Sequence, residues 1–388
     1  MRRLLLAVGL VAAACAGSPG ADVAVDELAP LSSSTDPTHS NSTSSMSTSS
    51  TTRSLATTLS DVSPAARAAI TLGFGGDTSF TNGLDQRDPF GAIVDLLRAP
   101  DLMVVNLETA VADPDVGRPP VAKPFLFKSP PESLQLLVDA GIDAVGLANN
   151  HTLDFGADAL AQTLAELDAA GIPWVGAGID QDAAYQPLVL VVGDWRVGLV
   201  SLSRVPCDWS ASGENVRPQV AWACPPFLPL ADEMVRAAQA EADITVVMVH
   251  GGEEGVLCPS SFMVELEQHW ADLGVDVVID GHPHVVQGIT SLPAAGGGDT
   301  LVVHSTGNFA FPSTRGITGN SAIFLVDVSE EGVRLRVEPV RADGGVLRLP
   351  SEQQRESILA QINRVSSGWV VDDNGTAQPT PEHLGSCG

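Results

Sequence analysis

Six apolar runs along the middle of the chain each end in a short polar cluster, and this recurring pattern constrains the fold more than any other feature. The endings are Gly75-Gly76-Asp77, Asn106-Leu107-Glu108, Asn149-Asn150-His151, His250-Gly251-Gly252, Gly281-His282-Pro283-His284 and Gly307-Asn308. "AAITLGFGGD", "DLMVVNLE" and "IDAVGLANN" read as strands, while "DPFGAIVDLLRAP", "SPPESLQLLVDAG" and "FGADALAQTLAELDAAG" between them carry a helical period. Ser129-Pro130-Pro131-Glu132 suits a helix start and Gly141 a stop. This β-α-β-α-β-α rhythm predicts an α/β domain with a mainly parallel inner sheet covered by helices, whose functional groups gather at the strands' carboxyl ends. "YQPLVLVVGDWRVGLVSLS" reads as a hairpin turning at Gly193-Asp194, and "SAIFLVDVSEEGVRLRVEPV" as a final hairpin.

Divalent metals that activate water take carboxylate, carboxamide and imidazole ligands and keep positions open for substrate. The strand endings supply that set in Asp77, Glu108, Asn150, His250, His282 and His284, with glycines beside them that let the backbone turn and leave room. Singly, each ending has a plain structural explanation: a His after a strand is often only hydrogen-bonded, and an Asn pair often caps the next helix. Together they point to a metal site. In His282-x-His284, alternate residues would face the same side of an extended chain.

The ends of the chain have a different character. "MRRLLLAVGLVAAACAGS" has the parts of an export signal, with Arg2 and Arg3, a short apolar run and small residues before Cys15. Ala12, Ala13 and Ala14 before Cys15 resemble the bacterial lipobox, so residues 1–15 are expected to be a lipoprotein signal peptide. Lipidation at Cys15 would then anchor the protein to the outer face of the membrane. The alternative is an ordinary signal peptide with Cys15 in its cleavage region. Residues 16–66 include a Ser/Thr-rich stretch that cannot bury enough apolar area to offset chain entropy, and are expected to be a disordered tether.

A net charge of -27 argues against nucleic acid as a partner, because binding to its backbone depends on clustered Lys and Arg. A polyanionic ligand would need cations supplied locally, and bound metal is one source. Beyond Cys15, the cysteines Cys207, Cys224, Cys258 and Cys387 are an even set in an exported chain. Of the possible pairings, Cys207 with Cys224 is favoured, because the two bracket a Pro- and Trp-containing loop.

From about residue 69 to 328, "GGDTSF", "NLETAV", "KPFLFKSPPESLQLLVDAGIDAVGLANNHTLDFG", "VVMVHGGEEG", "DVVIDGHPHVVQGI" and "HSTGNFAF" follow one another in family order. In these motifs the chain resembles the CapA family, also called PgsA, of poly-γ-glutamate capsule synthesis proteins, related to the calcineurin-like metallophosphoesterases. The resemblance implies a four-layer sandwich of two mixed sheets flanked by helices over residues 67–345; residues 346–388, outside the resemblance, read as a C-terminal helix and a polar, Gly- and Pro-containing tail. It implies one or two divalent ions, whether Mn, Zn, Fe or Ca, on the six ligands above, and His151 poised against substrate oxygen as acid or clamp. It departs from the wider superfamily where Asp-x-His is usual, because Ser79 stands in the His position, and where Glu108 replaces a bridging Asp.

Two functions follow from the resemblance. One is metal-dependent hydrolysis of a phosphoester or an anionic envelope polymer; the other is a non-catalytic polymer-binding or export subunit of a membrane synthetase complex. Lys123, Lys128 and Asn308 are candidate substrate contacts, and Glu253 and Glu254 candidate rim residues. His304 is a candidate support for the ligands. Trp174, Trp195, Trp222 and Trp270 are read as packing residues.

Overall fold

The computed structural model describes residues 66–119, 122–207, 219–312, 314–381, 385 and 387. The expectations for the leader, for Cys15 and for all but the last residue of the tether fall outside these residues. Val62–Gly388 forms one compact unit. Among the described residues, no helix is long and apolar enough to cross a membrane.

Two large mixed sheets make up the centre. In spatial order the first contains Val346–Arg348, Gly332–Asp343, Asn320–Ser329, Ile70–Thr78, Leu102–Leu107, Ala144–Gly146 and Trp174–Val175. The second contains Ile289–Pro293, Asp299–Val303, Val277–Gly281, Ile244–His250, Trp195–Ser203 and Leu188–Val192. Each has a parallel interior and antiparallel neighbours, the hairpin of Leu188–Val192 with Trp195–Ser203 among them.

Alternation along the strands explains the layering. Leu72, Phe74, Leu102 and Val104 join an apolar cluster with Val247, Ile279 and Val302 of the second sheet. Met103, Val105 and Leu107, pointing the other way, pack with Leu134, Leu137, Leu160 and Leu164 on helices Leu134–Ala140 and Gly156–Ala170. Both faces of these strands are therefore apolar, as a sheet covered on each side requires. On the far side, Ala231, Met234, Val235 and Ala238 recur at helical spacing on Leu228–Glu241 and cover the second sheet. The result is the four-layer arrangement of helices, sheet, sheet and helices.

Local signals account for most boundaries. Gly141 ends its helix with φ 82, a left-handed cap that costs other residues more. The helical pattern at 88–100 yields only a Gly91–Ile93 turn and Val94–Leu97, because Pro100 bars continuation. Leu228–Glu241 and Ile289–Pro293 are elements that the sequence patterns above did not single out.

The segment after residue 345 is built into the same unit. Val346–Arg348 pairs with Gly332–Asp343, and helix Glu352–Val365 starts from a capping box in which Ser351 Oγ accepts from Gln354 N. Gln361 Nε2 on that helix donates to Val286 O at 2.8 Å. Two disulfides form, Cys207–Cys224 with Cα atoms 5.6 Å apart and Cys258–Cys387 with 5.4 Å. Because Cys258 and Cys387 are 129 positions apart, their bond closes a long loop. Replacing both by Ser is expected to cost about 2–5 kcal/mol in denaturant unfolding, and a loss below about 0.5 kcal/mol would show that the tail is held by its other contacts.

Candidate metal centre

Strand register brings the polar endings to one place. Asp77 lies beside Asn106, which lies beside Gly146, while in the second sheet Ser203 lies beside His250 and His250 beside Gly281. The carboxyl ends of both sheets thus open on the same site. Asp77 and Glu108 are fully buried there, with His250 and His282 nearly so.

Hydrogen bonds fix the ligands. Asn106 Nδ2 donates to Asp77 Oδ1 at 2.8 Å and lies 3.1 Å from His250 Nδ1. The backbone N–H of His282 donates to Asp77 Oδ2 at 3.1 Å, and His284 Nδ1 lies 3.2 Å from the same oxygen. Asn150 Oδ1 is 2.8 Å from His250 Nε2. A Cβ on Gly281 would come within 2.8 Å of Asp77 Oδ1, so glycine there preserves the position of the carboxylate. Asn149 is the loop's anchor: its Nδ2 donates to Leu107 O and Asn106 Oδ1, and its Oδ1 accepts from His151 N and Thr152 Oγ1.

Glu108 is the exception. Both its oxygens are buried and find no hydrogen-bond donor among the described residues, and His282 Nδ1 is likewise unpaired. His250 Nε2 at 3.3 Å and His151 Nε2 at 3.8 Å approach Glu108 Oε1 only at ion-pair distance. An uncompensated buried carboxylate costs several kcal/mol, a large part of a domain's stability of about 5–15 kcal/mol. Glu108, His250 and His282 could hold one ion and Asp77, Glu108 and His284 another, with Glu108 common to both. Glu254, His282 and His284 form a third group at the rim. Carboxylate and imidazole donors without thiolate suit a hard or borderline divalent ion, so the residues fit such a metal.

The charges are already coupled. Burial pushes Asp77 up, but hydrogen bonding and charge from His284, His250 and Asn106 outweigh it and hold the carboxyl well below its usual range. Burial opposes charge on His284 as well, yet the Glu108 and Asp77 carboxylates raise it to about 9. Burial, then the neighbouring His250 and His284, push His282 well down, which leaves a neutral imidazole suited to ligation.

His151 stands beside this cluster with a different set of partners. Its Nδ1 and Asp154 Oδ2 are 2.6 Å apart, its ring stacks on Phe127 at 4.0 Å, and Nε2 faces Glu108. Asp154 also accepts from Phe127 N and from Lys123 Nζ, and Lys123 Nζ donates further to Asn150 O. Lys123 is therefore part of the framework that positions His151 and Asn150.

Several expectations need revision. Lys128 does not reach the site: Nζ donates to the carbonyls of Asp113, Pro114 and Val116 and lies over the Phe155 ring. Asn308 spends its Nδ2 on His284 O and Thr318 O, so it tethers the ligand loop instead of presenting an amide N–H to substrate. His282 and His284 are not on an extended strand. They follow Gly281, where the strand ends, and their φ values of 95 and 56 curl the chain so that both rings meet the site. His304 Nδ1 pairs with buried Glu267 Oε1 at 2.8 Å, not with a ligand. Beside it, burial and then Glu267 push Asp280 well above the carboxylate range. Ser79 is buried and shares a hydrogen bond with Thr81 Oγ1. Trp195, Trp222 and Trp270 are buried.

Sequence reasoning missed Asn106, Asn149 and Asp154 as positioning residues. Asp154 had a signal, a carboxylate three places after His151, but polar turns are too common for that spacing to stand out.

A family model described as "Bacterial capsule synthesis protein PGA_cap" matches residues 56–313, more than half of the chain. The chain belongs to that family. It is 27% identical over 291 residues to "PGA biosynthesis protein CapA" of Bacillus subtilis, covering 73% of each chain. It is 29% identical over 305 residues to a "Probable polyglutamine synthesis accessory protein" of Mycobacterium tuberculosis, covering 74% of this chain and 79% of that one. Among solved structures, it is similar to a novel phosphatase of Mycoplasma pneumoniae, with TM-score 0.45 and 13% identity over 73% of this chain and 96% of that one. A putative 5′-nucleotidase of Staphylococcus aureus gives TM-score 0.41 and 16% identity over 75% of this chain and 58% of that one.

Replacing Glu108 by Gln in this PGA_cap family member is expected to weaken manganese or zinc binding at least about 10-fold by isothermal titration. Unchanged affinity would remove Glu108 from the ligand set. Protons should also leave on loading. His284 has a folded pKa of about 9 against an ordinary 6.5. Its contribution to metal-free stability is therefore complete below pH 6.5 and lost as pH rises through about 9. Metal uptake at pH 7 must displace that proton, so apparent affinity should rise up to about pH 9. Titrations in buffers of different ionisation enthalpy measure the release; a count of zero contradicts the assignment.

Proposed function

We propose that this capsule-synthesis family member binds one or two divalent ions at the Asp77, Glu108, Asn150, His250, His282 and His284 cluster and hydrolyses a linkage in an anionic envelope polymer or its phosphoester precursor. The observation that carries the reading is His151: a buried imidazole fixed by Asp154 on one nitrogen, with the other 3.8 Å from Glu108, a buried carboxylate that finds no hydrogen-bond donor among the described residues. A protein that only holds a polymer has no need of an oriented proton carrier beside its ligands.

When bound, the ion polarises the scissile group and lowers the pKa of attacking water. Among the chain's own residues, Asp154 accepts from His151 Nδ1–H and stabilises the doubly protonated ring, whose Nε2–H is the proton given to the departing oxygen or nitrogen. Phe127 closes one side of the imidazole and limits its rotation. As the bond from the central phosphorus or carbon to that atom breaks, a new bond forms to the water oxygen, and the water's proton returns to the site's bases. The imidazole-rich donor set favours manganese, zinc or iron over calcium, which prefers six to eight oxygens. On this reading the protein is exported and held by lipid at Cys15 on the outer face of the membrane, where the polymer is assembled.

A second reading, a non-catalytic polymer-binding partner of a membrane synthetase, draws support from Ser79. Its hydroxyl stands where a further imidazole would complete the wider superfamily's set, and it is turned to Thr81. The two readings differ in turnover. Full-length protein loaded with manganese should cleave generic phosphodiesters or γ-glutamyl polymer, and His151→Ala should lower kcat by about 10²–10⁴ while keeping the bound metal. Equal activity in wild type and variant, with metal present in both, favours the binding role.

A further inference from the structure

The loop that follows His250 runs along the turn that carries His282 and His284, and hydrogen bonds stitch the two together. Gly251 N donates to Gly281 O at 3.0 Å, Gly255 N to Pro283 O at 2.8 Å, and Gln287 Nε2 to Val256 O at 2.7 Å. Pro283 lies between the two histidines, so the loop is fixed against the ligand turn itself. A Cβ on Gly252 would come within 3.1 Å of Pro283 Cγ, and a φ of 111 there favours glycine, so the close approach depends on that residue.

The stitching leaves the tip of the loop unbound. Val256 N donates to Glu253 O at 3.3 Å and closes a turn in which Gly255 takes φ 75, the positive value that glycine supplies at the third place of such a turn. Glu254, at the corner, is exposed, and no hydrogen bond or ion pair joins its carboxylate to any described residue. Yet one of its oxygens lies within 4.8 Å of ligand nitrogens of both His282 and His284. The same two imidazoles belong to the inner groups, His282 with Glu108 and His250, and His284 with Asp77 and Glu108. A third carboxylate brought this close adds to the repulsion between Asp77 and Glu108, and a divalent cation reverses that effect.

We propose that Glu254 is a further metal ligand, which closes the solvent side of the ion at His284 and gives way to an anionic group of the substrate. The proposal rests on the metal binding proposed above. Metals that activate water keep one position open for exchange. An exposed carboxylate on a turn held at both ends can enter and leave that position without disturbing the other ligands. Asp77, Glu108, His250 and His282 are buried and have no such freedom.

The test uses the full chain, stripped by chelator and titrated with manganese by calorimetry, beside Glu254→Gln and Glu253→Gln. Glu254→Gln should weaken binding about 5-fold, while Glu253→Gln, which loses the same charge one place away, should change it less than about 2-fold. Water-proton relaxation of manganese-loaded Glu254→Gln should exceed that of loaded wild type, because solvent takes the carboxylate's place. Inorganic phosphate should bind loaded Glu254→Gln about 5-fold more tightly than loaded wild type, having no carboxylate to displace. Equal weakening by both variants marks a general charge effect and overturns the proposal, as does unchanged manganese affinity in Glu254→Gln. Phosphate affinity that is unchanged or lower in that variant overturns the exchange. Both residues are exposed at the tip, so their substitution leaves the core intact. If wild type binds manganese and Glu254→Gln matches it, Glu254 alone is removed; if wild type binds none, the metal centre falls with it.

Discussion

Two carboxylates and three imidazoles meet at one point where the described residues supply too few donors to satisfy them, and much of the architecture around them is a response to that conflict. Asp77 has been given partners: Asn106, the His282 N–H and the His284 ring. Glu108 has none. Desolvated charge of this kind is stable only when an opposite charge is near, and without metal the proton on His284 meets part of that need. A divalent ion would meet it more fully.

Precision in such a cluster comes from the strands and from the residues behind the ligands. Asn106 and Asn149 carry no ligand role of their own, yet they connect three strand ends through side-chain amides. Asn308 does the same for the loop that carries His284. The price of the geometry appears in the backbone, where His282 and His284 adopt positive φ that branched or bulky residues rarely take.

The tail is part of this scheme. Helix Glu352–Val365 reaches the ligand loop through Gln361, and the Cys258–Cys387 bond pins the chain's far end to the loop after His250. A segment that in sequence reads as an appendage thus braces the second sheet near the site.

The sequence by itself determined the strand and helix alternation, the apolar faces and the identity of the ligand-type residues. These are properties of short windows: period, composition and the turn residues that close each run. It also carried the family motifs in their order. Which of those polar residues meet was decided by tertiary structure, because register between distant strands sets it. That is why Lys128, close in sequence to the site's loop, turns to the carbonyls of 113–116, and why Asp154 proved to be the partner of His151. The His-x-His pair converges through left-handed turns and not through strand alternation, since the strand stops at Gly281 and only the surrounding packing holds the strained residues in place.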